Sequence, residues 1–183
     1  MSTGWPRRAF YRVRQFVRAL AAARRPLTAA EVALARCHLP PAAWPLFDAM
    51  ARADQRHSLR VLAALQARGQ TQPALLQAAL LHDCAKAASG VRLWQRVAKV
   101  LLAAFWPAVL ARLAAEPAPA QPGWRAGLWA HLHHPARGAE LAAAAGCDPV
   151  AVALIRRHEA SAASGDPEAD QLLQALQAAD DDH

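Results

Sequence analysis

Apolar residues recur along this chain with the spacing of amphipathic α-helices, and Pro, Gly and capping residues separate the apolar stretches. A first stripe predicts a helix over 7–24, which Pro26 ends. Thr28, followed by Glu31 three residues later, has the spacing of a capping box. This pair predicts the start of a second helix, which Pro40-Pro41 breaks.

The same pattern continues through the middle of the chain. Two helices are predicted over 42–51 and 53–68. Thr71 is the expected cap of the next helix, with Pro73 in its first turn, and this helix is expected to run without interruption to about Lys86.

An apolar helix is predicted over 91–115, followed by the Pro-rich loop 116–123 and a helical segment from 124 to 133. The last three helices share one start signal, a polar residue followed directly by Pro, and Gly146 ends the first of them. These pairs are His134-Pro135, Asp148-Pro149 and Asp166-Pro167. No internal repeat is visible, and the loop is too short to separate domains.

Composition supports an all-α fold, because much of the 55% hydrophobic fraction is Ala and Leu. A length of 183 residues fits a single domain with a real core. We therefore expect a single-domain helical bundle. Residues 1–50 would form a basic helical segment packed on or flanking the core, and 51–183 would form the core domain.

Positive charge is concentrated at the N-terminal end of a chain whose formal net charge is +7. Residues 1–25 contain seven Arg and no acidic residue. Such a segment can attract phosphate, nucleic acid or an anionic membrane surface. A solvated amphipathic helix explains it more simply, so nucleic acid is disfavoured and weak membrane-surface association stays an alternative.

The cysteines indicate a reducing compartment, because Cys37, Cys84 and Cys147 are odd in number and lack paired or metal-type spacing. The N-terminal residues contain no apolar signal-peptide core, so we expect a cytoplasmic protein, membrane-peripheral in the alternative above. The most apolar stretch, 100–110, is shorter than the roughly 20 residues of a membrane span, and a buried or interfacial helix is expected there.

Four polar residues fall on inward-facing apolar stripes of separate predicted helices. They are His57, His82, His158 and Asp180. A single His in such a place is usually a hydrogen-bonded core residue, and Asp83 beside His82 could pair with an Arg. Several such helices in one small domain favour a shared cation, and imidazole with carboxylate suits borderline divalent ions. Both interpretations remain open at this point.

The order of these residues resembles that of the HD-domain superfamily of metal-dependent phosphohydrolases. These are all-helical domains named for an adjacent His-Asp pair, here in the run Leu80-Leu81-His82-Asp83-Cys84-Ala85-Lys86. The resemblance covers about 50–180. The other residues on which the resemblance rests are the upstream His57, the His-Pro-x-x-Gly segment at His134, then His158 and the terminal Asp180.

The resemblance implies one or two divalent ions, of Fe, Mn, Zn, Co, Ni or Mg. The first would be held by His57, His82, Asp83 and Asp180, and the second by His134 and His158, with Asp83 bridging. Asp83 and Lys86 would carry the catalytic roles, Lys86 at the rim of the cleft against a substrate phosphate. His131 or His133 could replace His134 as the ligand.

The resemblance thus predicts hydrolysis of a phosphate ester or anhydride in a small phosphorylated or nucleotide substrate. Cys84-Ala85 replace the residues that most often follow the pair, and no Gly-Tyr-Pro element follows His158, which disfavours the cyclic di-GMP phosphodiesterases. Two alternatives remain, a non-catalytic metal-binding regulatory module and a membrane or nucleic-acid adaptor using the basic helix. Arg56, Arg60 and Arg137 are expected to be solvated.

Overall fold

The computed structural model describes residues 25–87, 132–160 and 165–182, together with isolated positions between 102 and 130. Every regular element in these ranges is helical, which confirms the all-α prediction for this part of the chain. The helix predicted over 7–24, the loop 116–123 and most of the helices predicted over 91–115 and 124–133 lie outside the described residues.

The described helices pack around one buried helix, α4. In chain order they are α1 (Ala29–His38), α2 (Trp44–Asp48, preceded by the 3₁₀ turn Pro41–Ala43), α3 (Arg52–Ala67), α4 (Pro73–Leu81), α5 (Cys84–Ala87), α6 (His134–Ala144), α7 (Pro149–Arg157) and α8 (Pro167–Asp181).

Three of the eight described helices start at predicted capping residues. Thr28 and Glu31 form the complete capping box of α1. The Asp148 and Asp166 side chains accept hydrogen bonds from the backbone N–H groups of the first turns of α7 and α8. The prediction for Thr71 is wrong, because α4 begins one residue later, at Pro73 after Gln72, and no side chain caps it.

Two predicted helices are shorter than their sequence patterns indicate. The predicted helix 42–51 consists of the 3₁₀ turn and the short α2. The predicted helix from Pro73 to Lys86 is interrupted, since α4 ends at Leu81, His82 and Asp83 form a turn, and α5 follows. This interruption places the His-Asp pair at the C-terminal end of a buried helix.

Helix α4 owes its central position to its composition. Six of its nine residues are buried, on all sides of the helix, so neighbours must cover it completely. It contacts α1, α2, α3, α7 and α8. The core cluster also contains Ala35, Phe47 and Met50, so the described part of the segment before residue 51 packs on the same core. The boundary proposed at 50–51 stays a prediction.

Helix α6 approaches α5 and α7 closely at Gly138. A Cβ at this position would lie 3.3 Å from Ile155 Cγ2, 3.5 Å from Cys84 Sγ and 3.8 Å from the Ala85 methyl. The two small residues after the His-Asp pair, Cys84 and Ala85, therefore face a glycine. This contact sets how near α6 comes to the pair.

Enlarging Gly138 should therefore destabilise the fold. We expect Gly138→Leu to lower the free energy of unfolding by about 1–3 kcal/mol, the usual cost of overpacking a filled interface. The control is Ala143→Leu, on the exposed side of the same helix, which should change it by less than about 0.5 kcal/mol. Urea denaturation checks both variants, and equal stabilities would contradict the close approach of the three helices.

No helix among the described residues is long and apolar enough to cross a membrane. Within the apolar stretch 100–110, Phe105 and Trp106 are 67% and 59% exposed. Of the two alternatives, a buried or an interfacial helix, burial is therefore not met at these two positions, and the interfacial alternative stays a prediction.

Candidate metal centre

The six candidate ligands come together from five helices and the turns between them. His82 and Asp83 lie in the turn after α4, and His57 lies on the neighbouring α3. His134 begins α6, His158 follows α7, and Asp180 lies in the last turn of α8. His82, Asp83, His134 and His158 are buried, while the side chains of His57 and Asp180 are 21% and 32% exposed.

The first half of the cluster joins α3, α4 and α8. His57 Nε2 lies 2.7 Å from Asp180 Oδ1 and 3.3 Å from His82 Nε2. His82 Nε2 lies 3.6 Å from Asp180 Oδ1 and 3.8 Å from Asp83 Oδ2. Asp180 thus contacts both imidazoles of this half, and Asp83 lies beside His82.

The second half of the cluster shares Asp83 with the first. His134 Nε2 lies 3.2 Å from His158 Nε2 and 3.4 Å from Asp83 Oδ1. His158 Nε2 lies 3.7 Å from the same oxygen. Asp83 Oδ1 is buried, and the Lys86 ammonium lies 2.6 Å from it. Such an atom is costly unless a cation or another donor satisfies it.

These separations fit ligands of a common ion. Two ligand atoms of a tetrahedral ion lie about 3.3 Å apart when each is about 2.0–2.1 Å from the metal. The ligand atoms of His57, His82 and Asp83 lie within 4.8 Å of one another, and so do those of Asp83, His134 and His158. The cluster could therefore hold a metal ion in either half, with Asp83 belonging to both.

Local structure orients two of the imidazoles for this role. His82 and His158 each occupy the C-cap position of a helix, where backbone carbonyls lack N–H partners. His82 Nδ1 lies 3.0 Å from the Ala79 carbonyl, and His158 Nδ1 lies 2.8 Å from the Ile155 carbonyl. Since a carbonyl can only accept, Nδ1 carries the hydrogen, and in the neutral ring Nε2 presents its lone pair to the cluster.

The carboxylates of the cluster are strongly stabilised in their charged form. Burial opposes ionisation of Asp83, but His82, His134 and Lys86 outweigh burial and hold the pKa of this carboxyl well below its usual range. Burial likewise opposes ionisation of Asp180, and hydrogen bonds to the neighbouring imidazoles lower its pKa nonetheless. The centre therefore keeps two negative charges at neutral pH.

The imidazoles respond to these charges unequally. Burial disfavours a protonated His82, but the charges of Asp83 and Asp180 outweigh it and raise the pKa of this ring. Burial and the nearby His82 lower the pKa of His158 to about 4. His158 is therefore neutral at pH 7, whereas His82 holds a proton more firmly than a free imidazole does.

Lys86 pairs with the Asp83 carboxylate. Its Nζ is 2.6 Å from Asp83 Oδ1 and 2.7 Å from Oδ2, and its side chain is only 15% exposed. Its expected contact with a substrate phosphate stays a prediction. Asp83 directly precedes α5 and Lys86 is the third residue of that helix. This spacing of three residues brings the Lys86 ammonium against the Asp83 carboxylate.

His131, His133 and His134 are alternative candidates for one metal ligand, and the structure separates two of them. His134 is fully buried and contacts the cluster, while the His133 ring stacks on Trp129 at 4.2 Å between centroids. His131 lies outside the described residues. Among the described members of this group, His134 is therefore the one brought to the cluster.

The sequence led us to expect a solvated Arg56 side chain, and the structure shows it in contact with three other residues. Its guanidinium lies 3.1 Å from Glu31 Oε1 and donates to the Arg25 and Pro26 carbonyls. Arg56 thus fastens the start of α1 to α3, one residue before His57.

Sequence reasoning missed two residues beside the cluster. Glu159 Oε1 lies 3.9 Å from His134 Nε2. Gln177 Nε2 donates to the carbonyls of His158 and Ala160, at 2.9 Å each. Gln177 stands three positions before Asp180, a spacing that places both on one face of α8 and could have indicated a shared role.

A cavity of about 460 Å³ opens beside the cluster and gives access to it. It is lined by His158, Glu159, Ala160, Gln177, Asp180 and Asp181. Comparisons with protein-family models, with curated proteins and with solved structures find no match to this chain, so membership of the HD-domain superfamily stays a prediction from its motifs.

Proposed function

We propose that this chain is a divalent-metal-dependent phosphohydrolase of the HD-domain type. The observation that carries the proposal is the convergence of buried imidazole nitrogens and carboxylate oxygens around Asp83, beside an open cavity. A bound divalent ion would supply an activated water and neutralise charge on a phosphoryl group. The expected substrate is a nucleotide or another small phosphate ester or anhydride.

The residues of the chain have distinct parts in this proposal. His57, His82 and Asp180 would hold one ion, His134 and His158 would hold the other, and Asp83 would bridge them. The carbonyls behind His82 and His158 keep Nε2 directed at the ions. The catalytic role of Lys86 on a substrate phosphate stays a prediction, and its contact with Asp83 makes it first of all a partner of the bridging carboxylate.

The lining of the cavity makes substrate binding depend on metal. None of the described lining residues is Lys or Arg, whereas Glu159, Asp180 and Asp181 are acidic. An anionic phosphate approaching this surface would be repelled unless bound ions reverse the local charge. Metal would therefore be required to bind the substrate as well as to activate water.

A screen of phosphorylated metabolites tests the proposal. The chain is stripped with a chelator, reconstituted with Mn²⁺, Fe²⁺, Zn²⁺, Co²⁺, Ni²⁺ or Mg²⁺, and assayed for released phosphate. We expect turnover of at least one nucleotide or small phosphate ester with metal, and no turnover or binding of that substrate without metal. Absence of turnover in protein with verified bound ions would favour the non-catalytic metal-binding module.

A further inference from the structure

The two halves of the cluster differ in one respect when only the six candidate ligands are counted. The first half has two imidazoles and a carboxylate of its own, Asp180, in addition to the shared Asp83. The second half has the imidazoles of His134 and His158 and only the shared carboxylate. A second carboxylate is present on that side, however, directly after His158.

Glu159 lies beside the second half, close to one of its two imidazoles. Its Oε1 lies 3.9 Å from His134 Nε2, and its side chain is 38% exposed on the wall of the cavity. Two atoms that each lie about 2.1 Å from one ion can be as much as about 4.2 Å apart. The Glu159 carboxylate and the His134 imidazole can therefore share an ion, once the Glu159 side chain turns toward the set formed by Asp83, His134 and His158.

The backbone of Glu159 is held in place by the helix that carries the ligand of the other half. Gln177 donates one hydrogen bond to the carbonyl before Glu159 and one to the carbonyl after it, both at 2.9 Å. Fixing a ligand in advance reduces the entropy lost when it binds. Gln177 thus acts as a positioning residue for the turn that carries both His158 and Glu159.

Charge balance also favours a third carboxylate at the metal centre. Two divalent ions carry four positive charges, which Asp83 and Asp180 alone offset only by half. Glu159 raises the number of carboxylates to three, and buried charge is tolerated better when it is more nearly paired. A ligand set of two imidazoles and two carboxylates also suits Mn²⁺ or Fe²⁺ better than a softer ion.

We infer that Glu159 is a ligand of the second ion, so that each ion has two imidazoles and one carboxylate of its own and shares Asp83 with the other. This inference rests on the metal centre of the proposed function but does not require turnover. It assigns Glu159 to the second ion in the way that Asp180 is assigned to the first.

Titration of the chelator-stripped full chain with Mn²⁺, followed by electron paramagnetic resonance and calorimetry, tests the inference. Wild type should bind two ions per chain. Glu159→Gln, which keeps the shape and removes the charge, should bind one ion as wild type does and the other at least tenfold more weakly. Because the side chain is partly exposed, the variant should fold, which circular dichroism verifies.

Two matched controls separate a ligand from a general effect of charge. Glu140→Gln is the same substitution on the exposed side of α6, and Asp181→Asn removes an acidic group from the same cavity. Both should bind two ions with wild-type affinity. An equal loss in Asp181→Asn would overturn the assignment in favour of a field effect.

The remaining outcomes are equally decisive. Two ions bound by Glu159→Gln at unchanged affinity would overturn the inference, and so would a wild type that binds one ion only. A wild type that binds none would overturn the metal centre as well. One outcome separates the two proposals: wild type binds two ions, Glu159→Gln loses one of them, and no substrate releases phosphate. That result would support the inference and refute the proposed hydrolase.

Discussion

Replacing Asp83 by Ala should abolish binding of both ions and all metal-dependent turnover. Asp83 is the residue common to both halves of the cluster, and its buried Oδ1 faces His134 and His158. The loss of affinity should exceed the roughly 10–100-fold that removal of a hydrogen-bond partner behind a ligand costs. The measurement is metal content per chain after dialysis, together with the rate of phosphate release.

The variant must be shown to fold, because Asp83→Ala leaves the buried ammonium of Lys86 without this carboxylate. Asp83→Asn keeps the shape of the side chain and should show the same loss of metal. Asp48→Ala, at a 56% exposed carboxylate outside the cluster, is the control and should retain metal and activity. Full metal content in folded Asp83→Ala and Asp83→Asn would refute the bridging role.

The second large effect is expected from Lys86→Met. In the metal-free protein the variant should lose about 3 kcal/mol of stability, because removing one partner leaves a buried carboxylate with less compensating charge. The Lys86 and Asp83 side chains are only 15% and 7% exposed, so solvent screens this pair weakly. Excess Mn²⁺ should restore most of the loss, since an ion at Asp83 replaces the ammonium.

Thermal and urea unfolding with and without Mn²⁺ measure this effect. Arg68→Met is the control, because it removes a cation from the exposed pair with Asp182 and should cost less than about 1 kcal/mol under either condition. The number of bound ions should be unchanged in Lys86→Met. A metal-free stability equal to wild type would show that Lys86 does not compensate the bridging carboxylate.

Local sequence signals were sufficient to predict three of the helix caps. The Thr28–Glu31 capping box and the Asp-Pro pairs at 148–149 and 166–167 act through hydrogen bonds within a few residues, so neighbouring sequence determines them. The break after Leu81 was missed because the apolar pattern continues across it. At this break His82 Nδ1 lies 3.0 Å from the Ala79 carbonyl, and periodicity does not indicate such side-chain contacts.

Four residues of the candidate site could be predicted because the apolar pattern of each helix shows which face is buried. His57, His82, His158 and Asp180 lie on apolar stripes, and such stripes face the core wherever helices pack. Glu159 follows a ligand directly and belongs to no stripe, so its distance from His134 depends on how α6 and α7 pack. The contact of Arg56 with Glu31 spans 25 positions and is likewise set by packing alone.

Anomalous X-ray diffraction from crystals of the Mn²⁺-loaded chain tests the metal centre most directly. We predict one peak about 2.0–2.2 Å from His57 Nε2, His82 Nε2 and an Asp180 oxygen, and a second at that distance from His134 Nε2 and His158 Nε2, with an Asp83 oxygen near both. Peaks confined to surface carboxylates, or no peak among these six side chains, would contradict the account.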